Sequence, residues 1–357
     1  MRQIRISNCE PGMILGKAIF NDNLILLEAG ALLTNSYIER LKDLGITEVY
    51  IDDDISGGVV IPDVVKEETR REAIRFIKES MENYTSMQLL NSAEAIEIVN
   101  KILEEILSSD DVIINLMDIK TRDSYTYFHC VNVCILSVIT GIKLNLNTAH
   151  LRELGVGALL HDIGKLMIPA EILLKKAALS TNEYEIVKEH SIYGYNILRK
   201  LPLISEASAR VALEHHERID GKGYPNGLKG DQIHLFSKIV AITDIFDALT
   251  SNRIYRDKIS ANQALEYMTV IAAPTLDTRV LNCFIEIIPP FPVGSGVVLN
   301  NGEKGVVIGI NKNFPTRPVV RIVFNSDGSK KELFEEINLA EKVGYTIINN
   351  TELIKQS

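Results

Sequence analysis

Five of the seven histidines in this 357-residue chain, His129, His161, His190, His215 and His216, lie in its helical middle and outside the most charged part of it. Asp162 follows His161 directly, and Asp244 and Asp247 close the series. Imidazole combined with carboxylate suits iron, manganese or zinc, whereas calcium prefers oxygen alone. Singly, each residue has a plain structural role. His129 reads as a satisfied core histidine, His161-Asp162 as a pair at a helix C-terminus, and His215-His216 as a partly exposed helix end. Helical phase argues for a common role. His190 shares a face with Ile186 and Ile197, Asp244 shares one with Phe236 and Val240, and His215 follows Val211 and Ala212 on an apolar side. An ionised Asp on a buried face is costly unless a cation or hydrogen bonds compensate. Several such residues on different helices point to a metal site inside a helical bundle.

The elements that must position these groups fall into three textures. Residues 1–62 show short β-like segments (Gln3–Ile6, Ile14–Phe20, Leu24–Leu27), an amphipathic stretch Tyr37–Leu44 and a strand-like Glu48–Ile51. This predicts a small α/β module. Asp52, Asp53 and Asp54 after it are expected as a solvated acidic loop. Residues 63–118 read as a charged helical connecting segment and 119–288 as the helical domain that carries the histidines. Ser180 and Glu183 form a capping-box signal for a helix running towards Arg199. Residues 289–357 turn strand-like, with hairpin turns at Asn301-Gly302 and Asp327-Gly328, and predict a small β domain. The expected fold is thus multidomain and mainly α, with a helical metal-binding domain between an α/β module and a β domain.

Composition narrows the function classes. The net charge of −9 excludes a general binder of DNA or RNA duplexes, whose affinity rests on a basic surface. A small anionic ligand remains compatible, because one pocket can be basic on an acidic protein. Residues 1–15 lack the basic start and apolar run of a signal peptide, and the apolar stretch Val131–Ile142 is shorter than the ~20 residues of a membrane span. No membrane insertion is expected. Cys9, Cys130, Cys134 and Cys283 show no CxxC spacing, so reduced thiols in a cytoplasmic protein are expected. Cys130 and Cys134 are out of phase with His129 and read as packing.

Four segments carry a resemblance. His161-Asp162-Ile163-Gly164-Lys165, followed by Ile168-Pro169, resembles the HD motif of the HD phosphohydrolase superfamily. His215-His216-Glu217-Arg218, then Asp220-Gly221-Lys222-Gly223-Tyr224-Pro225-Asn226-Gly227-Leu228, resembles the extended motif of the HD-GYP branch. Asp244-Ile245-Phe246-Asp247-Ala248-Leu249-Thr250 and Arg253-Ile254-Tyr255-Arg256 match the segments downstream of that motif in the same branch. The resemblance covers roughly residues 120–270, and four motifs in order are far more specific than a His-Asp pair. It implies a phosphodiesterase that opens cyclic di-GMP to linear pGpG, and in some members on to GMP, through a metal-bridging hydroxide. It implies His129, His161, Asp162, His190, His215, His216 and Asp244 as ligands, with Asp162 bridging. Lys165 would contact hydroxide and phosphate, making it catalytic with Asp162. Arg253, Arg256, Tyr224 and Asp247 fall on the substrate side. Tyr125 stands where three-metal members carry Glu, so two divalent ions, iron or manganese, are implied. Beside this reading stand another HD phosphohydrolase, acting on nucleotides or a different cyclic dinucleotide, and a catalytically silent binding module. The filled ligand positions speak against the silent module. A homodimer or a signalling partner is left open.

Overall fold

The computed structural model describes residues 1–21, 24–61, 63–82, 90–109, 125–175, 177–251 and 258–353. Short strands open the chain: β1 (Arg2–Arg5), β2 (Ile14–Leu15), β3 (Ile19–Asn21) and β4 (Leu24–Leu27), then helix α1 (Asn35–Asp43) and β5 (Glu48–Asp52). Strand β5 lies between β1 and β2 in an antiparallel sheet, while β3 and β4 pair separately. Thr34 caps α1 by accepting from the Tyr37 amide, and Ile38 and Leu41 pack on the sheet's apolar face.

The central body contains α2 (Glu67–Glu82), α3 (Ser92–Ser108), α4 (Tyr125–Lys143), α5 (Thr148–Leu159), α6 (Ala170–Leu173), α7 (Thr181–Lys188), α8 (His190–Leu198), α9 (Glu206–Glu214), α10 (Leu235–Thr250), α11 (Ala261–Tyr267) and α12 (Thr278–Ile287). Helix α4 is apolar on nearly every side, and a helix of that kind belongs at the centre of a bundle. Its segment Thr126–Lys143 has the length and composition of a membrane span, longer than the apolar run suggested, but 72% of it is buried inside this core. Helices α2 and α3 are more than the expected connector. Ala73, Phe76, Ile98, Val99 and Ile102 belong to one apolar core that runs on to Ile288.

The helix expected from Ser180 towards Arg199 is divided at Glu189 into α7 and α8. Its start was legible, since Ser180 and Glu183 form both bonds of the capping box. Its phase was not, because Ile186 is 41% exposed and does not share the buried face of His190 and Ile197. At the break the His190 ring donates to the Val187 carbonyl, a side-chain bond that competes with regular helix.

After α12 come β6 (Gly296–Leu299), β7 (Lys304–Gly309), β8 (Val319–Phe324), β9 (Lys330–Asn338) and β10 (Ile347–Asn350) in an antiparallel sheet of order β10-β6-β7-β8-β9. Both expected hairpin turns are present, between β6 and β7 and between β8 and β9. The two terminal modules meet each other. Ile55 packs with Val306, Val323, Phe324 and Leu353, and Tyr50, Val59 and Ile61 pack with Val293. Asp52 and Asp54 are exposed, as expected of a solvated acidic loop, while Asp53 is half-buried at this seam: Asp53 accepts from Arg2, and Asp54 pairs with Lys330. All four cysteines are free thiols.

Candidate metal centre

The histidines reach one place because helices begin, end and cross there. Helix α5 ends just before His161 and Asp162, and the chain turns into the short 3-10 helix Ile163–Met167. Gly164 makes this turn possible at close quarters. A Cβ at that position would collide with the His190 carbonyl, so only glycine lets the turn lie against the start of α8. His190 opens α8, and His215 and His216 follow the last turn of α9. His129 on α4 faces Asp244 and Asp247 on α10, where the two helices are also joined by Ser137 and Thr243 at 2.8 Å.

Each of four imidazoles has one nitrogen fixed from behind. His161 Nδ1 donates to Ala158 O at 2.8 Å, His190 Nδ1 to Val187 O at 2.6 Å, and His215 Nδ1 to the Val211 and Ala212 carbonyls at 3.0 Å. His129 Nδ1 donates to Asp247 Oδ2 at 2.8 Å. These bonds place the Nδ1 proton and aim every Nε2 inward, the arrangement by which outer carbonyls and carboxylates orient metal-binding histidines. The inward atoms lack ordinary partners. His161 Nε2 and Asp162 Oδ1 are buried with no hydrogen bond. His190 Nε2 and His215 Nε2, both acceptors in this tautomer, face each other at 3.4 Å. Opposed lone pairs in a buried site are unfavourable unless a cation lies among them, so the donor set fits metal. Two groups of candidate ligand atoms lie within 4.8 Å of one another, His129 with His161 and Asp162, and His190 with His215 and His216.

The electrostatics agree. Burial, with His216 beside it, pushes His215 well below the usual imidazole range, and burial also lowers His190 and takes His216 to about 3. These rings are neutral at physiological pH, as ligation requires. Burial opposes charge on His129, but Asp244 and Asp247 at its two nitrogens outweigh it and raise it to about 9. A proton and a cation therefore compete for the position between His129 Nε2 and Asp244 Oδ1, 3.0 Å apart. Burial would raise the Asp162 carboxyl, yet Lys165 and the surrounding imidazoles hold it well below the usual range. Lys165 Nζ donates to Asp162 Oδ2 at 2.5 Å and stays 28% exposed, between the buried carboxylate and solvent.

Tyr224 stacks on His216 with ring centroids 4.7 Å apart, and burial raises its phenol. The loop that carries it is held by Glu217, which sequence reasoning passed over. This 4% exposed carboxylate accepts from the Asn226 amide at 2.7 Å and the Leu228 amide at 2.9 Å. Gly223 has no room for a Cβ against the Glu217 and Arg218 backbone, so the loop folds back on the end of α9. An acid directly after two histidines was the available signal. Asp247, expected on the substrate side, sits elsewhere. Its carboxylate is 3% exposed and engaged by His129 and by Asn132 Nδ2 at 2.8 Å, behind the imidazole instead of in front of a substrate. Arg253 and Arg256 lie outside the described residues, as does the side chain of Tyr125.

A closed ligand sphere would mark a structural metal. Here Lys165, Asp244 and Tyr224 leave the cluster partly accessible, as a site that must admit a substrate requires. A family model described as an HD domain matches residues 102–280, and a KOW domain associated with HD domain matches residues 296–354. A cyclic di-GMP phosphodiesterase of Pseudomonas aeruginosa, PA4108, is 32% identical over 316 residues, 81% of this chain and 76% of that protein. One from Thermotoga maritima is 32% identical over 211 residues, 57% of each chain. A 3'3'-cGAMP-specific phosphodiesterase of Vibrio cholerae is 36% identical over 184 residues, 51% of this chain and 42% of that one. Bd1817, an HDG"Y"P protein from Bdellovibrio bacteriovorus, shares the fold with a TM-score of 0.50 at 18% identity, covering 80% of this chain and 98% of that one. The chain belongs to the HD-GYP family of phosphodiesterases.

Proposed function

We propose that this chain hydrolyses cyclic di-GMP to linear pGpG with two divalent cations, iron or manganese, held between its helices. One observation carries the reading: Asp162 stands between two sets of donors. Its Oδ2 lies 3.4 Å from His161 Nε2 and 4.0 Å from His129 Nε2, while Oδ1 lies 3.6 Å from His190 Nε2 and 3.9 Å from His215 Nε2. A carboxylate with one oxygen towards each set is suited to bridging. In this reading His129, His161 and Asp244 would hold one cation, His190, His215 and His216 would hold the other, and Asp162 would serve both. Bound there, the pair supplies a nucleophile from water at neutral pH and offsets charge on the phosphodiester.

The chain's own groups do the remaining work. Lys165 offers its ammonium to a phosphate oxygen at the rim of the cluster. Arg253 and Arg256, nine and twelve residues after Asp244, supply planar donors for the phosphates. Tyr224 borders the bound dinucleotide from its place over His216. Asp247 keeps His129 in its tautomer.

The test is turnover of cyclic di-GMP, 3'3'-cGAMP and bis-p-nitrophenyl phosphate by protein loaded with Mn²⁺ or Fe²⁺, alongside metal analysis. Tyr224→Ala with Pro225→Ala is expected to retain metal and to impair cyclic di-GMP turnover far more than that of the generic ester, which uses few remote contacts. Equal loss on both substrates would remove Tyr224 from the substrate site. Intact protein that ignores cyclic di-GMP and cleaves nucleoside phosphates would overturn the substrate.

A further inference from the structure

Behind His129 a buried chain of polar groups continues out of the region matched by the HD-domain model. Asp247 receives His129 Nδ1 on Oδ2 and Asn132 Nδ2 on Oδ1. Asn132, fully buried, in turn accepts at its Oδ1 from Arg70 Nη2 at 2.8 Å. Arg70 belongs to α2 and is 7% exposed, 32 residues before the matched region begins at residue 102. A guanidinium is hard to bury without a reason, because its desolvation must be offset by charge or hydrogen bonds. One of its bonds here enters the sequence of donors behind His129. Arg70 fixes which end of the Asn132 amide points to Asp247, and a fixed amide NH₂ holds one carboxylate oxygen so that the other meets the imidazole. Polarised in series, such bonds strengthen one another in a low-dielectric interior.

We propose that Arg70 is a positioning residue for the metal centre, acting on His129 through Asn132 and Asp247. The inference rests on His129 being a ligand, as the proposed function has it. Outer partners of metal-binding histidines commonly contribute about 10–100-fold in metal affinity. Arg70→Met keeps much of the side chain's volume while removing its donors, and is expected to weaken Mn²⁺ binding by about tenfold or more. Its KM for bis-p-nitrophenyl phosphate at saturating Mn²⁺ should stay unchanged, since no group near the substrate has moved. Arg70→Lys, which keeps a charged donor, should recover most of the affinity.

The experiment is Mn²⁺ titration of metal-stripped full-length protein, read by calorimetry and by the Mn²⁺ electron paramagnetic resonance signal, with circular dichroism to check the fold. Asn132→Leu breaks the chain at its second step and serves if Arg70→Met does not fold; it should show the same loss. The double variant Arg70→Met with Asn132→Leu should be no worse than either single variant, because groups acting in one line are not additive. Mn²⁺ affinity unchanged in Arg70→Met or in Asn132→Leu, while His129→Ala loses it, would overturn the inference and leave the ligand reading intact. Affinity unchanged in His129→Ala would sink both.

Discussion

Two places in this molecule gather charged and polar side chains from distant parts of the chain, and they are built on opposite rules. At the seam between the terminal modules every group named has a complement. Arg2, 5% exposed, donates to Asp53 Oδ2 at 2.9 Å and to the Leu353 carbonyl at 2.8 Å. Arg321 donates to the Ile55 and Gly57 carbonyls and to Glu336. At the centre of the helical body like meets like: Nε2 faces Nε2 across 3.4 Å, and a buried imidazole nitrogen and a buried carboxylate oxygen have no bond. The seam is complete in itself and is structural. The cluster is complete only with cations, and its outward hydrogen bonds show that its strain is organised rather than accidental.

The widest difference between the two should come from removing Asp162. Asp162→Ala is expected to abolish phosphodiester hydrolysis and to lower metal content in elemental analysis. Mn²⁺ at a thousandfold excess over its Kd should stabilise the unaltered protein by ~4 kcal/mol, visible as a rise in Tm, and the variant should lose most of that rise. Activity retained at full metal content would remove the distinction drawn here.

A smaller loss is expected from Gly164→Ala. The added Cβ meets the His190 carbonyl, and since both partners are backbone the contact cannot be relieved by a rotamer change. The turn carrying His161 and Asp162 should part from α8, at a cost of about 1–3 kcal/mol in stability. Metal stoichiometry should fall with it. A variant with unchanged Tm and metal content would show that the close approach is not needed.

How much of this was open to reading from the sequence depends on how much a local pattern can encode. The capping box at Ser180 and the hairpin turns at Gly302 and Gly328 are signals a few residues long, and each lies where the pattern predicts. The break at Glu189 escaped because a 3.6-residue period continues across it in the sequence, and what marks it is the bond of His190 to the Val187 carbonyl with the close approach of Gly164. Arg70 escaped for a similar reason. It sits on a charged amphipathic helix where arginine is ordinary, and its partner is 62 residues away. The bonds of Asp247 to His129 and Asn132 were not legible either, because a motif gives a residue's place in the chain and not which neighbours meet its side chain.

Arg253 and Arg256 offer the next step down in effect. Each charge-assisted contact to a phosphate is worth ~1.5–3 kcal/mol, so Arg253→Ala or Arg256→Ala should weaken cyclic di-GMP binding roughly tenfold or more with metal content intact. Kinetics unchanged in the double variant would count against both. At the seam, Arg2→Ala removes one buried and one half-buried charge-assisted bond and should destabilise by ~2 kcal/mol in urea denaturation. Turnover of bis-p-nitrophenyl phosphate by the folded protein should be unchanged, which would set the seam apart from the cluster.

The smallest effect should come from a third polar group, complete like the seam but half-exposed at the surface. Glu183 accepts from Lys175 Nζ at 2.6 Å and from the Ser180 amide at 2.7 Å. The Lys175 bond first, then the Ser180 bonds, lower its carboxyl from 4.5 to about 2. A carboxyl lowered on folding stabilises the folded state fully above its unfolded value and loses that contribution as pH falls towards the folded one. The window here is therefore between pH 4.5 and about 2. Glu183→Gln keeps an acceptor for the Ser180 amide and removes the charge that Lys175 answers. Its Tm should lie slightly below that of the unaltered protein near neutral pH, by less than Arg2→Ala costs, because solvent screens a pair at the surface. The gap should close as pH falls through the window, where the native carboxyl takes up its proton and the two side chains become equivalent in charge. Thermal melts of both proteins across that range measure it, and a gap that widened towards acid would show that the bond to Lys175 is not what lowers this carboxyl.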